Sequence, residues 1–249
     1  MLNITDKSEL IREHNSRIWK SVDGWVGDRV FTVLQWIDEH QAARKIGGDI
    51  VEIGVHHGKF LLSMCPLLSQ DERLVAIDIW EEQHLNVDKS GNGSKDVFTN
   101  HVNTFLPEGD VRLISGDSMM LSADEIRREM SRPKCKIFSV DGGHTTAHVI
   151  NDLKLAQDVI APGGIVALDD FMGPAWPTVT EGLYEYLNYH NVRLAPFLIF
   201  QNKLWLTTFS EQSDALASAG AHFEQRVGSE WYSRWRYTSI KGWKVLSFA

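Results

Sequence analysis

The stretch Asp49-Ile50-Val51-Glu52-Ile53-Gly54-Val55-His56-His57-Gly58 is a short, β-branched apolar run that stops on two spaced glycines. A run this short, apolar on both sides, reads as a strand buried on both faces rather than as an amphipathic strand. Upstream, Val30, Val33, Leu34 and Ile37 recur at helical spacing, and Gly47-Gly48 closes that helix before the run begins. Downstream the same kind of run returns at 74–79, 111–114, 137–140 and 165–168, with helical patterns around 59–68, 95–106, 122–130 and 145–159 between them. Strands alternating with helices in this way predict a doubly wound α/β fold with a mostly parallel sheet. A helix at about 179–189 and two runs at 197–200 and 204–208, turning at Asn202-Lys203, predict an antiparallel hairpin that closes the sheet. Seven strands result.

The chain has 249 residues, with 25 Lys+Arg against 33 Asp+Glu and a formal net charge of −8. An acidic balance argues against a protein that tracks nucleic-acid phosphates. Its two cysteines, Cys65 and Cys135, make no disulfide framework. No run of about 18 apolar residues predicts a membrane span, and the start lacks the apolar core of a secretory signal. The expectation is a soluble cytoplasmic protein. Three segments organise the chain: an N-terminal helical part (1–47), the α/β domain (48–210) and a C-terminal aromatic and basic extension (211–249) packed on the domain or on another subunit.

In open parallel sheets ligands bind at the carboxyl ends of the strands. There the first strand offers Glu52, Gly54, His56 and Gly58, and the glycines let the backbone turn tightly or approach a ligand. The spacing is not that of a dinucleotide fingerprint. Asp78 ends the second strand, where a carboxylate can accept from both hydroxyls of a ribose. Gly116-Asp117-Ser118 follows the third, with Asp117 either receiving an adenine amino group or capping a helix. Trp80 either stacks near the adenine or packs under its loop. The fourth and fifth strands end in Val140-Asp141-Gly142-Gly143-His144 and Leu168-Asp169-Asp170. Adjacent tips bring Asp141, Asp169 and Asp170 together, and three carboxylates repel unless a cation compensates. Oxygen donors favour Mg²⁺ or another hard divalent ion.

Glu52-x-Gly54-x-x-x-Gly58, then Asp78, then Gly116-Asp117 resemble the class I S-adenosylmethionine-dependent methyltransferases across roughly 48–210, although His56 stands where the usual loop carries a glycine. Val140-Asp141-Gly142-Gly143-His144, Asp152-Leu153 and Pro162-Gly163-Gly164-x-x-Ala167-Leu168-Asp169-Asp170 are similar to one branch of that family. It comprises metal-dependent sugar and macrolide O-methyltransferases and cephalosporin-hydroxylase-type proteins. The resemblance implies a Rossmann-like methyltransferase fold and S-adenosylmethionine as cofactor, held by Glu52, Gly54, His56, Gly58, Asp78, Trp80, Asp117, Ser118 and Asp141. It implies Mg²⁺ on Asp141, Asp169 and Asp170, with His144, which matches by position, as the base. The implied acceptor is a hydroxyl of a sugar or glycosylated small molecule. A catechol-like diol, hydroxylase-type chemistry and a nonenzymatic cofactor-binding subunit are the alternatives.

A poor nucleophile such as a sugar hydroxyl needs a metal to orient it and a nearby imidazole to take its proton. Asp141 and His144 are therefore the expected catalytic pair. His148 is expected to pack rather than ligate, and at most one of His56 and His57 faces the crevice. The polar connection 80–96 reads as a lid or a mobile loop, and Trp176 as an apolar face beside the acidic pair. From His222 onward Phe223, Trp231, Tyr232, Trp235, Tyr237, Trp243 and Phe248 mingle with Arg226, Arg234, Arg236, Lys241 and Lys244. That tail is expected to pack on the domain or a partner copy, making a homo-oligomer an open expectation. Neither a membrane nor a nucleic-acid partner is expected.

Overall fold

The computed structural model describes residues 7–226 and 235–248. Two helices come first, α1 (Lys7–Ser21) and α2 (Val30–Arg44). They are followed by β1 (Asp49–Ile53), α3 (Lys59–Ser63), β2 (Leu74–Asp78), α4 (Lys95–Phe105), β3 (Val111–Ser115) and α5 (Ala123–Glu129). The chain continues through β4 (Cys135–Val140), α6 (Thr146–Val159), β5 (Ile160–Leu168), α7 (Pro177–Tyr186), β6 (Leu194–Phe200) and β7 (Lys203–Thr208). It closes with α8 (Gln212–Arg226), β8 (Trp235–Ile240) and β9 (Trp243–Phe248).

All five residues of β1 and all six of β4 are buried. Alternate side chains feed two cores. Ile50, Leu74, Ala76, Ile137, Ile165 and Ala167 face α1, α2, α3 and α8, while Val51, Val75, Ile77, Phe138, Val166 and Leu168 face α5, α6 and α7. The buried Asp49 at the start of β1 is satisfied: its carboxylate accepts backbone N–H groups of Arg73 at 2.9 Å and Arg132 at 3.0 Å.

The strand order is β3-β2-β1-β4-β5-β7-β6-β9-β8. The first five are parallel, and β7 runs antiparallel to both β5 and β6. The chain winds outward from β1 to β3 and then returns to lay β4 on the other side of β1. That reversal opens a crevice between the tips of β1 and β4.

Three expectations are corrected. The described residues form nine strands, not seven, because the tail supplies a hairpin: β9 pairs parallel to β6 through Leu198↔Leu246 and Ile199↔Ser247. Ile240, Val245 and Leu246 are buried in it, an apolar pattern masked in the sequence by the surrounding aromatics and bases. Trp231, Tyr232 and Arg234 lie outside the described residues. The helix before β1 ends at Arg44, where Lys45 adopts the left-handed conformation (φ 56°), not at the glycine pair. The β6–β7 turn is Gln201-Asn202 (φ 57° and 64°), which leaves Lys203 inside β7. Two successive left-handed residues fit the twist of a tight hairpin. No described helix is long and apolar enough to cross a membrane.

Candidate active site

At the carboxyl ends of the strands lies a cavity of about 490 Å³, within the range of small-molecule sites. Gly54 sets its geometry. With φ at 84°, it brings β1 so close to β4 that a Cβ would stand 1.7 Å from the Asp141 carbonyl oxygen. Only a residue without a side chain permits that approach.

One half of the cavity is lined by Asp78, Gly116, Asp117 and Ser118. Asp78 accepts the backbone N–H of His56 at 2.7 Å through one oxygen and that of Trp80 at 2.6 Å through the other. Burial raises its pKa against these bonds. Asp117 caps a short 3-10 turn by accepting the Met119 N–H at 2.9 Å, and it also lines the cavity. A Cβ on Gly116 would meet nothing within 4 Å, so the backbone there is open to the cavity. His56 lines it and His57 does not; their rings lie 3.9 Å apart.

Glu52, Gly58 and Trp80 are not brought to the cavity wall. Glu52 is buried beneath it among Ser139, Asp169 and Lys203, and burial pushes its carboxyl up to about 8 although Lys203 opposes this. Gly58 starts α3 where any Cβ would meet the Phe98 ring at 2.6 Å. Trp80 is buried and stacks on the same Phe98 with ring centres 6.1 Å apart. Both positions serve packing under the 80–96 loop.

The other half gathers Asp141, His144, Asp169, Asp170, Trp176 and Asn202. Donor atoms of Asp141, His144 and Asp170 lie within 4.8 Å of one another. Asp169 is arranged differently from its expected place in that set. It is buried and ion-paired with Lys203, itself almost wholly buried, and its other oxygen accepts the Asp170 N–H at 2.9 Å. Asp141 is pushed well above the usual carboxylate range by burial and by Asp169 and Glu52, with Lys203 offsetting part of this.

His144 is held on several sides. Its Nε2 is 3.0 Å from Asp170 Oδ2 and its Nδ1 2.8 Å from Asp88 Oδ2, while the Trp176 ring stacks on it at 4.3 Å and 15°. Burial disfavours the charged ring, but the bonds to Asp170 and Asp88 outweigh it and raise the pKa. His148 contacts the Thr145 hydroxyl at 2.7 Å and sits 3.6 Å from Asp117, away from the carboxylate cluster.

Asp88, Ser90, Asn202, Lys203 and Trp25 were not legible as site residues. Asp88 and Ser90 come from the 80–96 loop, which lies over the cavity and lines it with Gln83, Leu85, Asn86 and Val87 as well. A faint sign exists in Asp88-Lys89-Ser90, an Asp two residues before a residue whose N–H it accepts, which is a turn signature. Asn202 donates to Asp170 at 2.7 Å from the β6–β7 turn.

Residues 51–171 match the family described as "Methyltransferase domain". No curated protein sequence matches the chain. Among solved structures, the O-methyltransferase NovP superposes with a TM-score of 0.62 at 15% identity, covering 82% of this chain and 99% of that one. An O-methyltransferase from Bacillus cereus in complex with SAH gives 0.53 at 13% identity over 84% and 93%. CalS11, a TDP-rhamnose 3'-O-methyltransferase of calicheamicin biosynthesis, gives 0.51 at 15% identity over 83% and 97%. At these identities the likeness is one of fold.

Proposed function

From the premise that this chain is an enzyme with a class I S-adenosylmethionine-dependent methyltransferase domain, we propose that it transfers the methyl group to a hydroxyl of a sugar or glycosylated small molecule with help from a divalent cation. The observation that carries the reading is a half-buried imidazole, His144, facing two carboxylates, Asp141 and Asp170, at one end of a cavity whose other end is lined by Asp78, Gly116, Asp117 and Ser118. The CalS11 precedent, a sugar methyltransferase by its description, favours a sugar acceptor.

The residues fit both groups. Asp78 presents a carboxylate fixed by two backbone amides, and Gly116 leaves room beside Asp117 and Ser118. Asp141 and Asp170 offer hard oxygen donors, and the negative charge around Asp141 is only partly offset by Lys203, which suits one further cation. When bound, S-adenosylmethionine supplies a sulfonium methyl whose S–C bond gives way to a new C–O bond, and the cation supplies a Lewis acid for the hydroxyl.

The chain's own residues do the rest. His144 takes the hydroxyl proton on the nitrogen that faces the carboxylate cluster. Asp170 and Asp88 stabilise the imidazolium that forms, as charge-assisted acceptors at 3.0 and 2.8 Å. Trp176 covers one face of the ring and keeps water from it. Lys203 holds Asp169 in place and lets three carboxylates coexist at neighbouring strand tips.

Titration with S-adenosylmethionine, with and without Mg²⁺ and EDTA, tests the cofactor. Turnover of TDP-rhamnose, a phenyl glycoside and catechol tests the acceptor. Binding with EDTA-sensitive turnover of a sugar is the expected result. No binding would remove the cofactor assignment, EDTA-insensitive turnover the cation, and turnover of catechol alone the sugar.

A further inference from the structure

Trp25, which has no part in the methyl-transfer chemistry, lines the cavity and is 75% exposed, more than any other Trp, Tyr or Phe among the described residues. Its backbone is nevertheless held on both sides. The Gly24 carbonyl accepts from Lys59 Nζ at 3.0 Å, and a Cβ on Gly24 (φ 142°) would stand 3.2 Å from the Lys59 Cβ. Four residues beyond Trp25, the Arg29 N–H donates to Gln201 Oε1 at 3.2 Å, and a Cβ on Gly27 would meet that same oxygen at 2.0 Å. Val26, between these anchors, packs against the core. Residues 23–29 therefore form a strap from the start of α3 to the β6–β7 turn, whose Asn202 holds Asp170.

His56 supplies a second, independent observation. It stands where the usual loop carries a glycine, and its φ of 52° is the left-handed conformation that glycine adopts without strain. A side chain is kept there despite that cost, and its ring lies against Trp25, with centres 5.4 Å apart at 46°, and 3.9 Å from the His57 ring. Gly91 closes on the same imidazole, where a Cβ would come within 3.5 Å. Trp25 is thus propped by a ring that is itself wedged, while most of the indole stays open. Leu85 and the exposed Val87 line the same cavity. An apolar rim above a polar floor suits a ligand with hydroxyls at one end and a flat ring at the other.

We propose that Trp25, propped by His56, is a specificity-determining residue for the acceptor, its indole face stacking on the flat, uncharged aglycone ring joined to the methylated sugar. The groups that suit the ribose and adenine, Asp78 and Gly116-Asp117-Ser118, sit at strand ends, whereas the strap that carries Trp25 is anchored beside Asn202 and Asp170, on the acceptor's side. The assignment rests on the acceptor being a glycoside, and it names the part of the glycoside that the chain selects.

Calorimetric titration of phenyl rhamnoside and methyl rhamnoside into the full chain saturated with S-adenosylhomocysteine reads the platform without turnover. The two ligands share the sugar and differ in the ring. The native chain should bind the phenyl compound about 10-fold more tightly, and Trp25→Ala should remove most of that preference while changing the affinity for methyl rhamnoside less than about twofold. Trp25→Phe should keep most of the preference, and His56→Gly, which takes away the prop, should lower it about threefold. In steady state, Trp25→Ala should raise the KM for phenyl rhamnoside about 10-fold at nearly constant kcat, the mark of binding shared by ground and transition states. Equal affinity of the native chain for both rhamnosides, or a preference that survives Trp25→Ala, overturns the platform and leaves the sugar reading intact. A Trp25→Ala variant that loses more affinity for S-adenosylmethionine than for phenyl rhamnoside overturns it too, since the indole would then belong to the cofactor. If neither rhamnoside binds, the sugar reading falls and this inference with it.

Discussion

The two ends of the cavity are built by different means. At the Asp78 end, polar groups are fixed by backbone: two amide N–H groups grip the Asp78 carboxylate, and Asp117 caps the turn that follows it. At the His144 end they are fixed by one another. Asp88 from a loop, Asp170 from a strand tip, Asn202 from a hairpin turn and Trp176 from the start of a helix converge on one ring or its partner. Backbone-held groups keep their place when a neighbour is changed, whereas side-chain networks fail as units. The first arrangement suits a cofactor that must be bound the same way each time, the second a step in which charge and protons move.

The largest effect should come from cutting beneath the network. Lys203 is the buried cation shared by Asp169, Asp141 and Glu52, and the Phe60 ring lies 4.2 Å from its ammonium. Lys203→Met leaves those acids unpaired in the interior and should cost about 3–5 kcal/mol of stability, the usual range for breaking a buried pair. Chemical denaturation measures it directly. A loss under about 1 kcal/mol would mean that the acids are neutralised by other means, and the contrast between the two ends would shrink.

A smaller, more selective effect is expected at the other end. Asp78→Asn keeps a carbonyl to accept one amide and removes the charge that, on the proposed reading, meets the ribose. Losing a charge-assisted bond worth about 1.5–3 kcal/mol should weaken S-adenosylmethionine binding roughly 10- to 100-fold. Turnover at saturating cofactor should change little. Calorimetric titration beside initial rates separates the two, and an equal loss in both would show that the ends are mechanically coupled.

Sequence reading reached these two ends unequally for the same reason. Asp78 is the last residue of its strand and Asp117 follows its strand by two residues, so their place depends only on finding the strand ends. Asp141, Asp169 and Asp170 were equally visible. Their partners were not: Asp88 lies 56 residues from His144 and Lys203 lies 34 from Asp169, and nothing in the intervening periodicity brings them near. Lys203 was further hidden by a one-residue difference in the turn, because a slip of one position along a strand exchanges a solvent-facing side chain for a buried one. Trp80 and Gly58 were misleading in the opposite sense, since an aromatic and a glycine beside a ligand loop look alike whether they touch the ligand or support the loop. The parallel half of the sheet was legible from its apolar runs. The added β8–β9 hairpin was not, because β8 carries a run of exposed residues from Arg236 to Ser239 and only Ile240, Val245 and Leu246 are buried in the pair.

The smallest effect is a pH dependence that separates the floor of the active end from its working groups. Glu52 has its pKa raised by burial from 4.5 to about 8, so the folded chain keeps a proton that the unfolded chain has released over that interval. Stability from this group is full below pH 4.5 and is lost as pH climbs toward about 8. Glu52→Gln mimics the protonated carboxyl at every pH. Its melting temperature relative to the native chain should therefore start near parity at the acid end and rise as pH increases to 8. A constant offset across that interval would mean that Glu52 is already ionised in the fold, paired with Lys203. In that case Lys203 divides its charge between two acids, Asp169 is less fully neutralised, and more negative charge remains at the strand tips for a divalent cation to meet.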